Sequence, residues 1–330
     1  MGSSKTVKRI LTAAAFGLAL CSAVPGRAAD ELDVVKVRPN FYMIAGAGGN
    51  IGVQIGSDGV VLVDAGTAAA ADQVIAAIRK LTPLPVRYII NTSAEPDHVG
   101  GNGKIAKSGM TIFTNLLGNS TFADAMTNGS GASIMAYDRV LQRMSAPTGK
   151  AAAFPVDTWP TEAFFQTRKA IRMSGEGIEV MVQPAAHSDA DSFVLFRGSD
   201  VVVAGDILDT TRFPVIDTAN GGTIQGEIEA LNKLIELAIA PIPFIYKDVG
   251  TYVVPGHGRI CEQMDVVDYR DMVVTVKDNV EDLIKQGKSL DQIKEAQPAK
   301  AYETLYGART GPWTTNMFVE AIYKSLTGKK

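Results

Sequence analysis

The sequence predicts an α/β protein in which two β-sheets are covered by helices on their outer faces. Short runs rich in Val and Ile recur in both halves of the chain, and segments with helical spacing alternate with them. No low-complexity linker separates the halves. With 46% apolar residues among 330, the chain can bury a substantial core. We therefore expect one ordered domain of two similar layers.

The first 28 residues have the pattern of a secretory signal peptide. Basic residues precede an uncharged apolar run over residues 10–24, and small residues follow at Gly26 and Ala28. The apolar run is shorter than the roughly 20 residues that span a bilayer. We expect cleavage after Ala28 and a periplasmic or secreted protein. Lipid anchoring at Cys21 is the alternative.

The exported chain is expected to be acidic and to contain no internal disulfide. Removal of residues 1–28 leaves 28 basic and 35 acidic residues, a formal charge of about −7. Because no basic block remains, we expect no nucleic-acid partner. Cys261 is the one cysteine left, so no internal disulfide is expected. A small-molecule substrate, and no transmembrane segment after the signal peptide, fit this composition.

The first half of the chain predicts a β-meander followed by alternating strands and helices. Asp58-Gly59 supplies the positive φ of a hairpin turn. Thr67 is a candidate N-cap for the first helix, which Pro83 and Pro85 end. Strands are expected at residues 41–44, 51–55, 60–64 and 86–90, and the helix at residues 68–80.

The second half begins with an irregular stretch and ends in helices. Residues 114–169 are rich in Gly, Ser, Ala and Pro, and we interpret them as a lid or pocket wall. Ser289 is a candidate N-cap for a short helix. We expect helices at 134–144, 225–238, 266–285 and 318–325, and strands at 178–183, 192–196, 201–204 and 251–254. The domain should cover residues 29–330, with a helical extension from about residue 260.

The three histidines of the chain share one setting. His98, His187 and His257 each lie beside Asp and Gly directly after a predicted strand. Ligand crevices of α/β folds form at such strand ends, so these side chains are expected to converge. A single buried histidine is more often a core residue, but three in the same setting favour a metal site. Imidazole and carboxylate donors suit Zn²⁺, and also Fe or Mn, and we expect one or two Zn²⁺ ions.

The order and spacing of four motifs resemble those of the metallo-β-lactamase superfamily. They are Val61-Leu62-Val63-Asp64-Ala65-Gly66, Asp97-His98-Val99-Gly100-Gly101-Asn102, Gly205-Asp206 and Pro255-Gly256-His257-Gly258. The resemblance covers essentially the whole mature chain and implies a four-layer αβ/βα sandwich of two β-sheets flanked by helices. It also implies a metal site of Asp97, His98 and His257, with Asp206 bridging toward a second site that includes His187.

The first motif departs from that family. Where the family usually has His-x-His-x-Asp-His, this chain has Ser93-x-Glu95-x-Asp97-His98. Serine is a poor metal ligand at neutral pH, so we expect a weakened second site. Glu95 matches the His-x-Glu-x-Asp-His pattern of flavodiiron relatives, in which the glutamate binds iron, and it is retained as a candidate ligand. Its alternative role is to accept a hydrogen bond from a ligating histidine.

Three further acids are expected to be structural. Asp64 ends a strand and should accept hydrogen bonds from the metal loop or from a ligating imidazole. Asp189 and Asp191 follow His187 and should satisfy backbone N–H groups of that turn.

The function that the resemblance implies is metal-dependent hydrolysis. A divalent ion makes hydroxide available near neutral pH and polarises a carbonyl or phosphoryl oxygen. Asp97 and Glu95 are the candidate catalytic groups, since either can orient or deprotonate a water. Suitable substrates are an ester, lactone, β-lactam, thioester, or sulfate or phosphate ester. The alternatives are a non-catalytic metal-binding descendant and a diiron oxidoreductase, whose first histidine and flavodoxin-like domain this sequence lacks.

Overall fold

Two β-sheets pack face to face, and helices cover the outer side of each. The computed structural model describes residues 32–111, 131–149, 151–242 and 249–328. The segment assigned to the signal peptide, with Cys21, lies outside the described residues, and so do residues 114–130 of the expected lid.

The first sheet contains seven strands among the residues that the structure describes. In spatial order they are β1 (Asp33–Arg38), β2 (Phe41–Ala45), β3 (Ile51–Gly56), β4 (Gly59–Val63), β5 (Val86–Ile90), β6 (Ser133–Tyr137) and β9 (Glu162–Phe164). The first four strands pair antiparallel, and the pairs from β4 to β9 are parallel. The helices among these strands are α1 (Ala71–Leu81), α2 (Pro96–Val99), α3 (Asn102–Ser108) and α4 (Asp138–Ser145).

The second sheet contains five strands, and a two-stranded hairpin lies apart from both sheets. The five strands are β10 (Arg168–Met173), β11 (Glu176–Gln183), β12 (Asp191–Phe196), β13 (Val201–Asp209) and β14 (Tyr252–His257), and the hairpin is β7 (Pro147–Thr148) with β8 (Ala151–Ala152). Only β13 and β14 pair parallel within the five-stranded sheet.

The helices of the second half follow β13 and β14. They are α5 (Ile224–Leu237), α6 (Gln263–Lys285), α7 (Leu290–Glu295), α8 (Glu303–Tyr306) and α9 (Thr315–Thr327). Ser289 caps α7 as expected, since its hydroxyl accepts the Gln292 N–H. Among the helices described, none has both the length and the apolar character needed to cross a bilayer.

The period-two alternation of the strands creates the four layers. Along β4, Val61 and Val63 face the second sheet, whereas Val60 and Leu62 pack with α1 and α3. Along β13, the odd-numbered valines face the first sheet, whereas Val202 packs with α5, α6 and α9. The αβ/βα sandwich predicted from the sequence is therefore confirmed.

Two local predictions were wrong. The helix expected over residues 134–144 begins only at Asp138, because residues 133–137 form strand β6 between β5 and β9. Parallel pairing on both sides overrides the local helical spacing there. Thr67 does not cap α1, since its side chain makes no capping hydrogen bond and a 3₁₀ turn over Ala68–Ala70 precedes the helix.

The inter-sheet layer predicts a large loss of stability on truncation of Phe196. This ring is fully buried and packs edge-on against Phe41, with 4.9 Å between ring centroids. We expect Phe196→Ala to lower the free energy of unfolding by about 3–5 kcal/mol, because the cavity cannot close between two sheets. Urea unfolding followed by circular dichroism measures it.

The matched control is Phe165→Ala, since 72% of Phe165 is exposed. Its unfolding free energy should change by no more than about 0.5 kcal/mol. Equal losses in the two variants would contradict the assignment of Phe196 to the inter-sheet core.

Candidate metal centre

The candidate site is formed by a short helix that follows a strand of the first sheet and by two strands of the second sheet. His98 lies in α2, just after β5, while Asp206 belongs to β13 and His257 ends β14. Pro96 is the first residue of α2, where its fixed φ suits the start of a helix. Two of the three histidines expected to converge, His98 and His257, thus lie 5.8 Å apart between ring centroids near the carboxyl ends of strands, and Asp206 lies beside them within β13.

His98 joins the two sheets through both ring nitrogens. Its Nδ1 lies 2.8 Å from Asp64 Oδ2 and its Nε2 lies 3.0 Å from Asp206 Oδ1. The imidazole is fully buried. An ionised carboxylate only accepts, so Nδ1 donates to Asp64 and Nε2, the nitrogen that faces the site, donates to Asp206.

The Asp64 carboxylate positions the His98 ring. The residue adopts a left-handed conformation, with φ of 67°. Its carboxylate accepts the Thr92 backbone N–H at 2.8 Å and the Thr92 hydroxyl at 2.7 Å, besides the His98 ring. The hydrogen bonds expected of Asp64 are therefore present, and Thr92 is a partner that the sequence did not reveal.

Asp97, His98 and His257 form a cluster with metal-binding geometry. One donor atom from each lies within 4.8 Å of the others. Asp97 Oδ2 is 3.2 Å from His257 Nε2, and Asp206 Oδ1 is 3.6 Å from the same nitrogen. Two imidazoles with nearby carboxylates are a donor set that Zn²⁺, Fe or Mn accepts, so these residues fit a divalent ion.

The acids and bases of the cluster hold opposite charges. Burial by itself raises the pKa of Asp206, but the charge of His98 and hydrogen bonds from His257 and His98 bring it well below its usual range. Burial lowers the pKa of His257, yet the bonds to Asp206 and Asp97 raise it to about 9. The ionised carboxylates therefore hold protons on the imidazoles, and a divalent cation would compete with those protons for the same donor atoms.

His187 and Glu95 lie together beside this cluster. The Nδ1 of His187 donates to the Val215 carbonyl at 2.8 Å, and its buried Nε2 has no hydrogen-bond partner among the described residues. Glu95 Oε1 is 3.6 Å from that Nε2. The fully buried Ser93 places Oγ 3.3 Å from Asp206 Oδ2. Glu95 and His187 thus stay predictions as ligands, on the side where a second ion would bind.

The turn after His187 is only partly arranged as expected. Asp191 accepts the backbone N–H and the hydroxyl of Ser188, which fixes the turn. Burial raises the pKa of Asp191 to about 7, against the opposing charge of His187. The Asp189 carboxylate instead pairs with Arg143, with Oδ1 2.9 Å from Nη2.

A glycine-rich loop after β2 supports the site, and it was not among the residues predicted from the sequence. A Cβ atom at Gly49 would lie 2.9 Å from His98 Nε2, so glycine is required there. Asn50 donates its side-chain N–H groups to the carbonyls of Pro255 and Gly258 at 2.9 and 3.0 Å. A Gly-Gly-Asn run directly before the strand predicted at residues 51–55 is the pattern that would have indicated this loop.

The chain belongs to the metallo-β-lactamase superfamily. The model of the "Metallo-beta-lactamase superfamily" matches residues 45–246. This confirms the family expected from the four motifs. A search of the curated proteins gave no match.

Solved structures of low sequence identity share the fold. A double mutant of the sec-alkyl sulfatase PisA1 has a TM-score of 0.62 and 14% identity, with 91% of this chain and 51% of that chain covered. The inverting sec-alkylsulfatase Pisa1 from Pseudomonas sp. gives 0.57 and 14%, with the same coverage. A metallo-beta-lactamase from Pontibacter korlensis gives 0.52 and 16%, covering 73% of this chain and 98% of that one. The chain therefore spans about half the length of the alkylsulfatase.

The buried Asp64–His98 hydrogen bond predicts that Asp64→Asn weakens metal binding without unfolding the protein. Asparagine tolerates positive φ, but it is a neutral and weaker acceptor for the His98 Nδ1–H. We expect the affinity for Zn²⁺ to fall about 10- to 100-fold. Competition with a chromogenic chelator measures it.

Asp72→Asn is the matched control, because Asp72 is 74% exposed and pairs with Lys104 on the surface. Its affinity for Zn²⁺ should equal that of the unaltered protein. Unchanged affinity in Asp64→Asn as well would show that Asp64 does not orient a ligand.

Proposed function

We propose that this protein is an exported metal-dependent hydrolase. The observation that carries the proposal is the cluster of Asp97, His98 and His257, which the fold gathers at the strand ends beside Asp206. These residues would hold one divalent ion, and we favour Zn²⁺ for its two imidazole donors. Membership of the superfamily supports the same chemistry.

The ion would supply a water of lowered pKa and a positive charge that polarises a carbonyl, phosphoryl or sulfuryl oxygen. The protein supplies orientation. Asp64 accepts the Nδ1–H of His98, so an ion bound by this residue would take the place of the proton on Nε2, the nitrogen that faces the cleft. Loop residues Gly49 and Asn50 fix the backbone beside His98 and His257.

Asp97 and Glu95 would have different roles, one as a metal ligand and the other as a proton acceptor. Burial raises the pKa of Asp97, but the hydrogen bond from His257 and the charge of His98 bring it below its usual value. A carboxylate that holds its charge so firmly is a better ligand than proton acceptor at neutral pH. Glu95 is about one-third exposed beside His187, and we assign it the task of accepting a proton from water or substrate.

The names of the similar structures suggest substrate classes for this protein. Two of these structures are sec-alkylsulfatases and another is a metallo-beta-lactamase, all at 14–16% identity. We propose hydrolysis of an ester, lactone, β-lactam, thioester, or sulfate or phosphate ester. One fold hosts many such activities, so the substrate is decided by assay.

Non-catalytic metal binding is the second candidate function. It is favoured by Ser93, whose hydroxyl contacts Asp206 and the backbone N–H of Glu95, each at 3.3 Å, where the family usually provides a histidine.

The decisive experiment combines metal analysis with a substrate panel. Protein purified without chelator is analysed for Zn, Fe and Mn, and is assayed on a chromogenic ester, a lactone, a β-lactam, an aryl phosphate and alkyl and aryl sulfates. Bound metal with turnover supports the hydrolase. Bound metal without turnover favours the second candidate, and iron with oxygen consumption favours a diiron oxidoreductase. Absence of bound metal after zinc addition overturns the proposal.

His98→Ala and His257→Ala should each abolish metal retention. Each change removes one of the clustered donors, and His98→Ala also leaves Asp64 and Asp206 without their shared partner. We expect less than about a tenth of the metal content of the unaltered protein after dialysis, and at least 100-fold lower turnover.

Lys104→Ala, a change in an exposed side chain, is the control and should retain metal and activity. Circular dichroism checks that each variant is folded. Full metal content in both folded histidine variants would rule out this cluster as the site.

Export is proposed from the sequence alone. We infer that the chain is secreted to the periplasm or beyond and is cleaved after Ala28. Expression of the full chain in a Gram-negative host, followed by mass spectrometry of the periplasmic protein, should give a mature N-terminus at Ala29. An intact N-terminus in the cytoplasmic fraction contradicts export, and a lipid-modified Cys21 identifies the alternative anchor.

A further inference from the structure

The side chain of Arg143 reaches the side of the site that holds Glu95 and His187. Arg143 lies in the last turn of α4, and its side chain is only 16% exposed. Its Nη2 lies 2.9 Å from Asp189 Oδ1 and donates to the Asn220 carbonyl at 2.8 Å. Its Nη1 lies 3.7 Å from Glu95 Oε1. No motif in the sequence marked this residue.

The guanidinium is fixed in place rather than free to swing. Asp189 and Asn220 both hold Nη2, and they belong to two separate loops. Arginine keeps its charge at all accessible pH values, and its planar group is ordered by such paired contacts. Because the side chain is mostly buried, solvent screens its positive charge weakly.

The positive charge of Arg143 lies beside the residues that would bind a second metal ion. Glu95 Oε1 lies between two positive or donor groups, 3.6 Å from His187 Nε2 and 3.7 Å from Arg143 Nη1. His187 Nε2 has no hydrogen-bond partner among the described residues and is the nitrogen available to an ion on this side. An ion bound by Glu95 and His187 would therefore sit within a few ångströms of the guanidinium, and like charges at that distance repel strongly inside a protein.

We propose that Arg143 substitutes for a second metal ion beside Glu95 and His187 and thereby limits the site to one divalent ion. The guanidinium neutralises the carboxylate that a second ion would use, and it repels that ion. This inference rests on the proposed function, because it assumes that the cluster of Asp97, His98 and His257 holds the first ion. Arg143 is a positioning residue, since it acts through Glu95.

Cobalt titration tests the inference. The full-length protein is first freed of metal with a chelator and is then titrated with Co²⁺. Bound metal is counted after dialysis, and the visible absorption bands report the coordination of each bound ion. We expect one Co²⁺ per chain for the unaltered protein. Arg143→Gln should bind two, or bind the second ion at least about tenfold more tightly, because a repelling charge has been removed.

Two further single variants test whether the positive charge of Arg143, rather than its shape, limits the number of bound ions. Arg143→Lys keeps the positive charge and should still bind one ion. Arg139→Gln alters an exposed arginine of the same helix, which contacts Gln142, and should also bind one. The double variant Arg143→Gln with Glu95→Gln should return to one ion, because the freed carboxylate is gone.

The outcomes separate this inference from the proposed function. No bound ion in the unaltered protein overturns the hydrolase proposal. One ion in the unaltered protein and one in folded Arg143→Gln, with no gain in second-ion affinity, overturns the inference alone. Two ions in the unaltered protein also overturn it.

Glu95→Gln decides the question if Arg143→Gln does not fold. The inference requires Glu95 to be paired with Arg143 and His187 rather than with the first ion. Glu95→Gln should then hold one Co²⁺ with an unchanged spectrum. A lost or altered cobalt spectrum would show that Glu95 binds the first ion and would overturn the inference.

Discussion

The hydrogen-bonded series from Asp64 through His98 to Asp206 is the interaction on which the rest of the site depends. Asp64 follows a strand of the first sheet and Asp206 belongs to the second, so the buried imidazole of His98 connects the two halves of the sandwich. Such a bond in a dry interior is strong only while every partner is present. The left-handed backbone of Asp64 and its two bonds from Thr92 are the local means by which the fold keeps this carboxylate in place.

Around that series the fold gathers the carboxylates of Asp97 and Asp206 against two histidines. Asp97 and Asp206 stay ionised because the histidines beside them carry protons, and a divalent cation would replace those protons as the balancing positive charge. On the opposite side, Arg143 already provides a permanent positive charge next to Glu95. On one side of the site a bound cation would balance the carboxylates, and on the other side an arginine of the protein balances Glu95.

Much of the fold could be predicted because strand and helix periods are local properties of the chain. The strand expected at residues 86–90 is found at those residues, and most other boundaries lie within a few residues of the prediction. Residues 133–137 could not be assigned correctly, since their strand exists only between two parallel neighbours that are distant in sequence. The role of Arg143 was equally hidden, because Asp189 and Asn220 reach it only after α4 is placed.

The sequence by itself determined the family and the two-sheet architecture, because four motifs at the ends of strands restrict what the chain can build. The donor groups in those motifs remain a prediction. Only the tertiary structure decided which donors meet. It gathered Asp97, His98 and His257 into one cluster, and it set Glu95 against His187 and an arginine. The reason is that distances between side chains on separate loops depend on how the two sheets pack, and no periodicity along the chain records that packing.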